Sequence, residues 1–82
     1  MKKSLQIKIR NSLQSQQLLT DLFNKEDQLE LMRTINEMIY YSRLDQKELT
    51  SLKEFLNFQI RDCENLYNLH EYVCETLYMM EE

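Results

Sequence analysis

The chain has no glycine and no proline in 82 residues. Those two residues supply the tight hairpin turns of β proteins and the strongest breaks in helices. Their absence argues against an all-β fold. It favours helices whose ends must be made by other side chains. Alanine is missing too. All three residues use GC-rich codons, which fits an AT-rich source such as a low-GC bacterium, its phage or plasmid, or some other viruses.

The length allows one domain, residues 1–82. A chain of this size buries only roughly 60–65% of the surface its unfolded form exposes, so its stability is marginal unless supplemented. Cys63 and Cys74 are the only cysteines, and neither number nor spacing suggests a disulfide framework. Self-association is the alternative supplement.

Periodicity favours helix almost throughout. Leu5, Ile7 and Ile9 alternate as in a strand, but no second alternating segment exists to pair with them. Leu5, Ile9 and Leu13 also fit a helical stripe, so the start is read as a helix, frayed through the polar cluster near Arg10–Gln17. A first break is expected near Asn24, as an N-cap with Asp27 three residues on. A second helix over about 25–42 carries Leu31, Met32, Ile35, Met38 and Ile39 on one arc, with Glu30, Arg33 and Glu37 opposite.

The clearest local signal is Leu44-Asp45-Gln46-Lys47-Glu48-Leu49. Asp45 and Glu48 form a capping-box pattern, and Leu44 and Leu49 can staple across it. From there a 3-4 stripe runs through Leu49, Leu52, Leu56, Gln59, Cys63, Leu66, His70, Val73, Leu77 and Met80. Such a stripe over four heptads predicts a bundle spine. The expected fold is therefore all-α: three helices with a long C-terminal one, or four if that helix breaks near Asn65–Asn68.

A helix over residues 46–80 would span about 52 Å, against about 27 Å for its predecessor. Nothing in the chain would then cover Leu66, Leu69, His70, Val73 and Leu77. With no glycine or proline to mark a break, these residues become candidates for a homodimer interface.

Chemistry has little to stand on. His70 and Cys74 are spaced i, i+4, with Cys63 two turns earlier, but a single His-x3-Cys pair is a weak zinc motif. Gln59 and His70 read instead as residues that set register or partner specificity, and the cysteines as small buried residues. There is one histidine and no glycine-rich phosphate loop, and no nucleophile has an evident base. No enzyme, cofactor or metal is expected.

Net charge is −4, with Lys2, Lys3, Lys8 and Arg10 at the start and only acids after residue 61. The acidic end argues against nucleic acid as the main ligand, which requires a concentrated basic face. No apolar run is long enough for a secretory signal or a membrane span, so a cytoplasmic protein is expected. The aromatic residues are more suggestive. Tyr40 and Tyr41 end the second helix. Phe58, Tyr72 and Met79 recur at multiples of seven, with Tyr78 beside them. Large apolar groups on a second face point to a protein partner. The functional expectation is a small helical interaction module: an inhibitor, adaptor or regulator, possible cargo of a mobile element. A secretion chaperone or immunity-type protein falls in the same class. The alternative is a transcriptional or nucleoid regulator using the basic first ten residues.

Overall fold

The computed structural model describes residues 2–59 and 64–80. Over these the chain is helical and no strand occurs. The elements are α1 (Lys2–Ser12), α2 (Gln16–Lys25), α3 (Gln28–Tyr40), α4 (Gln46–Gln59) and α5 (Glu64–Met80). The all-α class is as expected. The expected three or four helices are instead five among the described residues.

The extra helix ends come from short polar side chains and one strained residue, in place of glycine and proline. The expected first helix divides at residues 13–15. Ser12, the last residue of α1, donates its Oγ back to the Lys8 carbonyl at 2.7 Å, and Ser15 Oγ accepts the Gln17 N–H at 3.2 Å, opening α2. The Ser15 hydroxyl occupies an N–H that the helix start would leave unpaired. The cap expected at Asn24 is corrected too. Asn24 lies inside α2, and Asp27 does the capping, its Oδ1 accepting the Leu29 N–H at 3.0 Å.

The end of α3 shows how a chain without glycine makes a Schellman turn. The Arg43 N–H donates to the Met38 carbonyl at 2.8 Å, and the Ser42 N–H to the Ile39 carbonyl at 3.0 Å. That 6→1 and 5→2 pair requires a left-handed residue at the position after the cap. Ser42 supplies it with φ 57°, a conformation that costs a non-glycine residue roughly 1–2 kcal/mol. Three residues on, the capping box forms as the sequence predicts. Asp45 Oδ1 accepts the Glu48 N–H at 2.7 Å, and Glu48 Oε1 accepts the Asp45 N–H at 3.0 Å. Leu44 and Leu49 are both buried in the core beneath it.

The long C-terminal helix is the main correction. The chain's greatest extent is 35 Å, too short for an unbroken helix of about 52 Å. Instead α4 and α5 are separate helices packed extensively on each other. The alternative, a break near Asn65–Asn68 with a helix folded back, is closer to what forms: α4 ends at Gln59 and α5 starts at Glu64, so both asparagines lie just inside α5. The energetic reason is burial. Leu66, Leu69, Val73 and Leu77 are all buried within this one chain. Leaving four such side chains in water would cost roughly 6–12 kcal/mol. Interrupting a helix gives up about four backbone hydrogen bonds, each worth only about 1 kcal/mol net. Folding back wins. The uncovered seam that called for a second chain is therefore absent.

The principal helix contacts form a closed circuit, α1 to α2, α2 to α4, α4 to α5, α5 to α3, and α3 to α1. Inside it lie Ile9, Leu13, Leu19, Leu31, Ile35, Met38, Leu52, Leu56 and Val73. Phe23 of α2 and Phe55 of α4 meet with ring centroids 4.8 Å apart. Thr34, buried among these groups, satisfies its hydroxyl on the Glu30 carbonyl at 2.8 Å. None of the described residues forms a helix long and apolar enough to cross a membrane.

Candidate functional site

Beside this circuit, α3 and α5 leave a groove between them. Its volume is about 640 Å³. Met32 and Leu69 form its floor and are buried; Leu29, Tyr40 and Tyr41 stand exposed along α3, and Tyr72 of α5 is half-buried against the core. Arg33, Asn36, Glu37 and Asn68 supply the polar lining.

Local sequence explains why the tyrosines are there. Ile39 completes the buried arc of α3, and the Schellman turn at Ser42 reverses the chain immediately after Tyr41. Tyr40 and Tyr41 are left on the outer side of that turn. Tyr40 is 74% exposed, a large apolar group in water for so small a domain. The two rings meet edge to face at 5.0 Å and 86°. That geometry is favourable for the aromatic quadrupoles.

The structure brings together three of the six aromatic and apolar positions singled out in the sequence: Tyr40, Tyr41 and Tyr72. The other three do not line the groove. Phe58 is 77% exposed on α4. Its alignment with Tyr72 and Met79 required one continuous helix, and the division into α4 and α5 removes it. Tyr78 and Met79 are exposed in the last turn of α5. Met79 shares a face with Tyr72, seven residues earlier, beyond the groove's end. Of the positions proposed for self-association, Leu66, Leu69, Val73 and Leu77 are core residues, and His70 is half-buried.

Sequence reasoning missed Leu29, Arg33, Asn36 and Asn68. A signal for the α3 set was present, because Leu29, Arg33, Asn36 and Tyr40 follow i, i+4, i+7, i+11 spacing on the side away from the buried arc.

The other candidates gather less. Cys74 Sγ lies 3.7 Å from His70 Nε2, so the pair touch as i, i+4 neighbours do. Cys63, and the side chain of Gln59, lie outside the described residues. No three His, Cys, Asp or Glu side chains among the described residues are grouped to hold a metal ion. The basic N-terminal segment forms α1, anchored by buried Ile9. Two of its cations are engaged within the chain. Lys8 Nζ pairs with Glu26 at 3.4 Å; Arg10 Nη2 donates to the Arg43 carbonyl and its Nε lies 3.7 Å from Glu48.

Comparisons with protein-family models, with curated proteins and with solved structures give no match for this chain.

Proposed function

We propose that this chain is a helical protein-protein interaction module that binds a partner through the α3–α5 groove. The supporting observation is the groove itself. Leu29, Tyr40, Tyr41 and Tyr72 lie on one surface over an apolar floor of Met32 and Leu69. Aromatic residues placed in this way supply most of the binding energy in known interfaces, because a rigid ring buries much area for little lost entropy. An inhibitor, adaptor or regulator would use such a surface, and the choice among them depends on the partner.

The test is selection of displayed genomic fragments from the source organism on the immobilised chain, repeated with Tyr40→Ala/Tyr72→Ala. The reading requires binders whose affinity falls at least tenfold on the variant, while its circular dichroism spectrum is unchanged. Binders indifferent to the variant, or no binders to a folded chain, would overturn it.

A further inference from the structure

The charge of the molecule is concentrated around this groove. Helices α3 and α5 together carry Glu30, Glu37, Glu64, Glu71 and Glu75 against one cation, Arg33. The rest of the chain carries nine Lys and Arg and nine Asp and Glu. The net charge of −4 therefore belongs to these two helices, and everything else balances. Within α5 there is no Lys or Arg at all.

Helical geometry sets Glu30, Glu37, Glu71 and Glu75 beside the groove. Glu30 and Glu37, seven residues apart, share the flank of α3 next to Arg33, and Glu37 reaches the groove lining. On α5 Glu71 lies three residues after Asn68 and Glu75 three after Tyr72, and both are exposed. The result is an apolar, aromatic floor with carboxylates along both rims.

We infer that the occupant of the groove is a basic amphipathic helix of a partner protein, with its apolar stripe on Met32, Leu69 and the tyrosines and its Lys or Arg residues over the two rims. This rests on the groove being the binding site. Length supports a helix. The lining of α3 runs from Leu29 to Tyr41, about 18 Å or three helical turns, which anchors at i, i+4, i+7 and i+11 would match. Backbone chemistry supports it too. An extended peptide gains affinity by pairing its N–H and C=O groups with a sheet edge. The described residues have no strand to offer one, whereas a helix satisfies those groups internally. Charge then selects the basic sequence among amphipathic helices, since carboxylate rims attract cations and repel acidic competitors.

The test is a display library of helical peptides with a fixed apolar stripe and randomised polar face, selected on the full chain. Selections are repeated on Tyr40→Ala/Tyr72→Ala and on Glu30→Gln/Glu71→Gln/Glu75→Gln. The inference expects the wild-type pool to be rich in Lys and Arg on the polar face and to be lost on the tyrosine variant. On the glutamine variant the basic bias should disappear. Individual winners should bind at least tenfold more weakly to the glutamine variant, and again when salt is raised from about 0.05 to about 0.5 M. A tyrosine-dependent pool that is neutral or acidic would overturn the basic partner and leave the groove standing. A basic pool indifferent to the tyrosine variant would reveal surface attraction alone and overturn the inference. No tyrosine-dependent pool at all would remove the groove reading and this inference with it.

Discussion

Val73 distinguishes an intrachain core from a seam between chains. It is fully buried in the middle of α5, in the core shared with α4 and α3. Replacing it with alanine deletes two methyl-sized groups. At about 0.8 kcal/mol each, the lost transfer energy is roughly 1.6 kcal/mol. The remaining space, on the order of 50 Å³ if the helices do not close up, adds about 1.2 kcal/mol at ~24 cal/mol per Å³. The expected loss is therefore roughly 2–3 kcal/mol. A domain of this size has about 4–12 kcal/mol in total, so a large fraction of stability rides on one side chain.

The assay is urea unfolding followed at 222 nm by circular dichroism, at protein concentrations differing about fiftyfold. Wild type and Val73→Ala should each unfold at a midpoint independent of concentration, separated by roughly 2–3 kcal/mol with equal slopes. A midpoint that climbs with concentration would mean that unfolding also separates chains. A loss below about 0.5 kcal/mol would mean that Val73 is not packed as described. Either result refutes the folded-back hairpin. Val73→Glu extends the test. It forces a carboxylate into the core, so the expected product is a chain with α5 detached or unfolded. A folded monomeric variant would return α5 to the surface.

Other outcomes follow from particular contacts. Asp45→Ala removes the carboxylate that accepts the Glu48 N–H in the reciprocal cap on α4, and should cost about 1 kcal/mol in the same assay. Ser42→Gly relieves the left-handed residue of the Schellman turn and should raise the midpoint by up to about 1 kcal/mol, the strain relief being partly offset by glycine's freedom in the unfolded chain. Tyr40→Ala should change stability by no more than about 0.5 kcal/mol because the ring is exposed, yet should weaken a groove ligand at least tenfold in a titration read by tyrosine fluorescence, feasible because the chain has five Tyr and no Trp. Duplex DNA is expected not to bind in a gel-shift assay even at about 0.05 M salt, where nonspecific phosphate contacts are strongest; a complex that weakens on Lys2→Gln/Lys3→Gln would revive the nucleic-acid reading.

What was legible in the sequence was whatever local chemistry decides. The buried arc of α3 and the Asp45–Glu48 box depend on residues a few positions apart, and both are found as read. What was not legible depended on a comparison across the whole chain. The stripe from Leu49 to Leu77 looks alike whether it is one helix or two arms of a hairpin, because both arms present leucines at 3-4 spacing to the same core. Gln59, Cys63 and His70 interrupt that stripe; Gln59 ends α4, His70 lies within α5, and Cys63 is outside the described residues. The polar lapse at Gln59 was thus the mark of a helix end. It was masked by the expectation that a turn needs glycine or proline.

The site follows the same logic one level up. Tyr40 and Tyr41 were visible as aromatics at a helix end, but Tyr72 joins them only because α5 folds back to lie along α3. Without the hairpin the three could not share a surface, and Tyr72 would have counted with Phe58 on a single helix face. The acidic rims have the same origin. Glu30 on α3 and Glu71 and Glu75 on α5 are scattered in sequence, and the fold places them on the two helices that bound one groove. The break that stabilises the core by covering Leu66, Leu69, Val73 and Leu77 is therefore the same event that assembles the groove. A substitution that detaches α5, such as Val73→Glu, should abolish groove binding without touching a groove residue, and a variant that loses α5 packing but keeps ligand affinity would show that the two are separable.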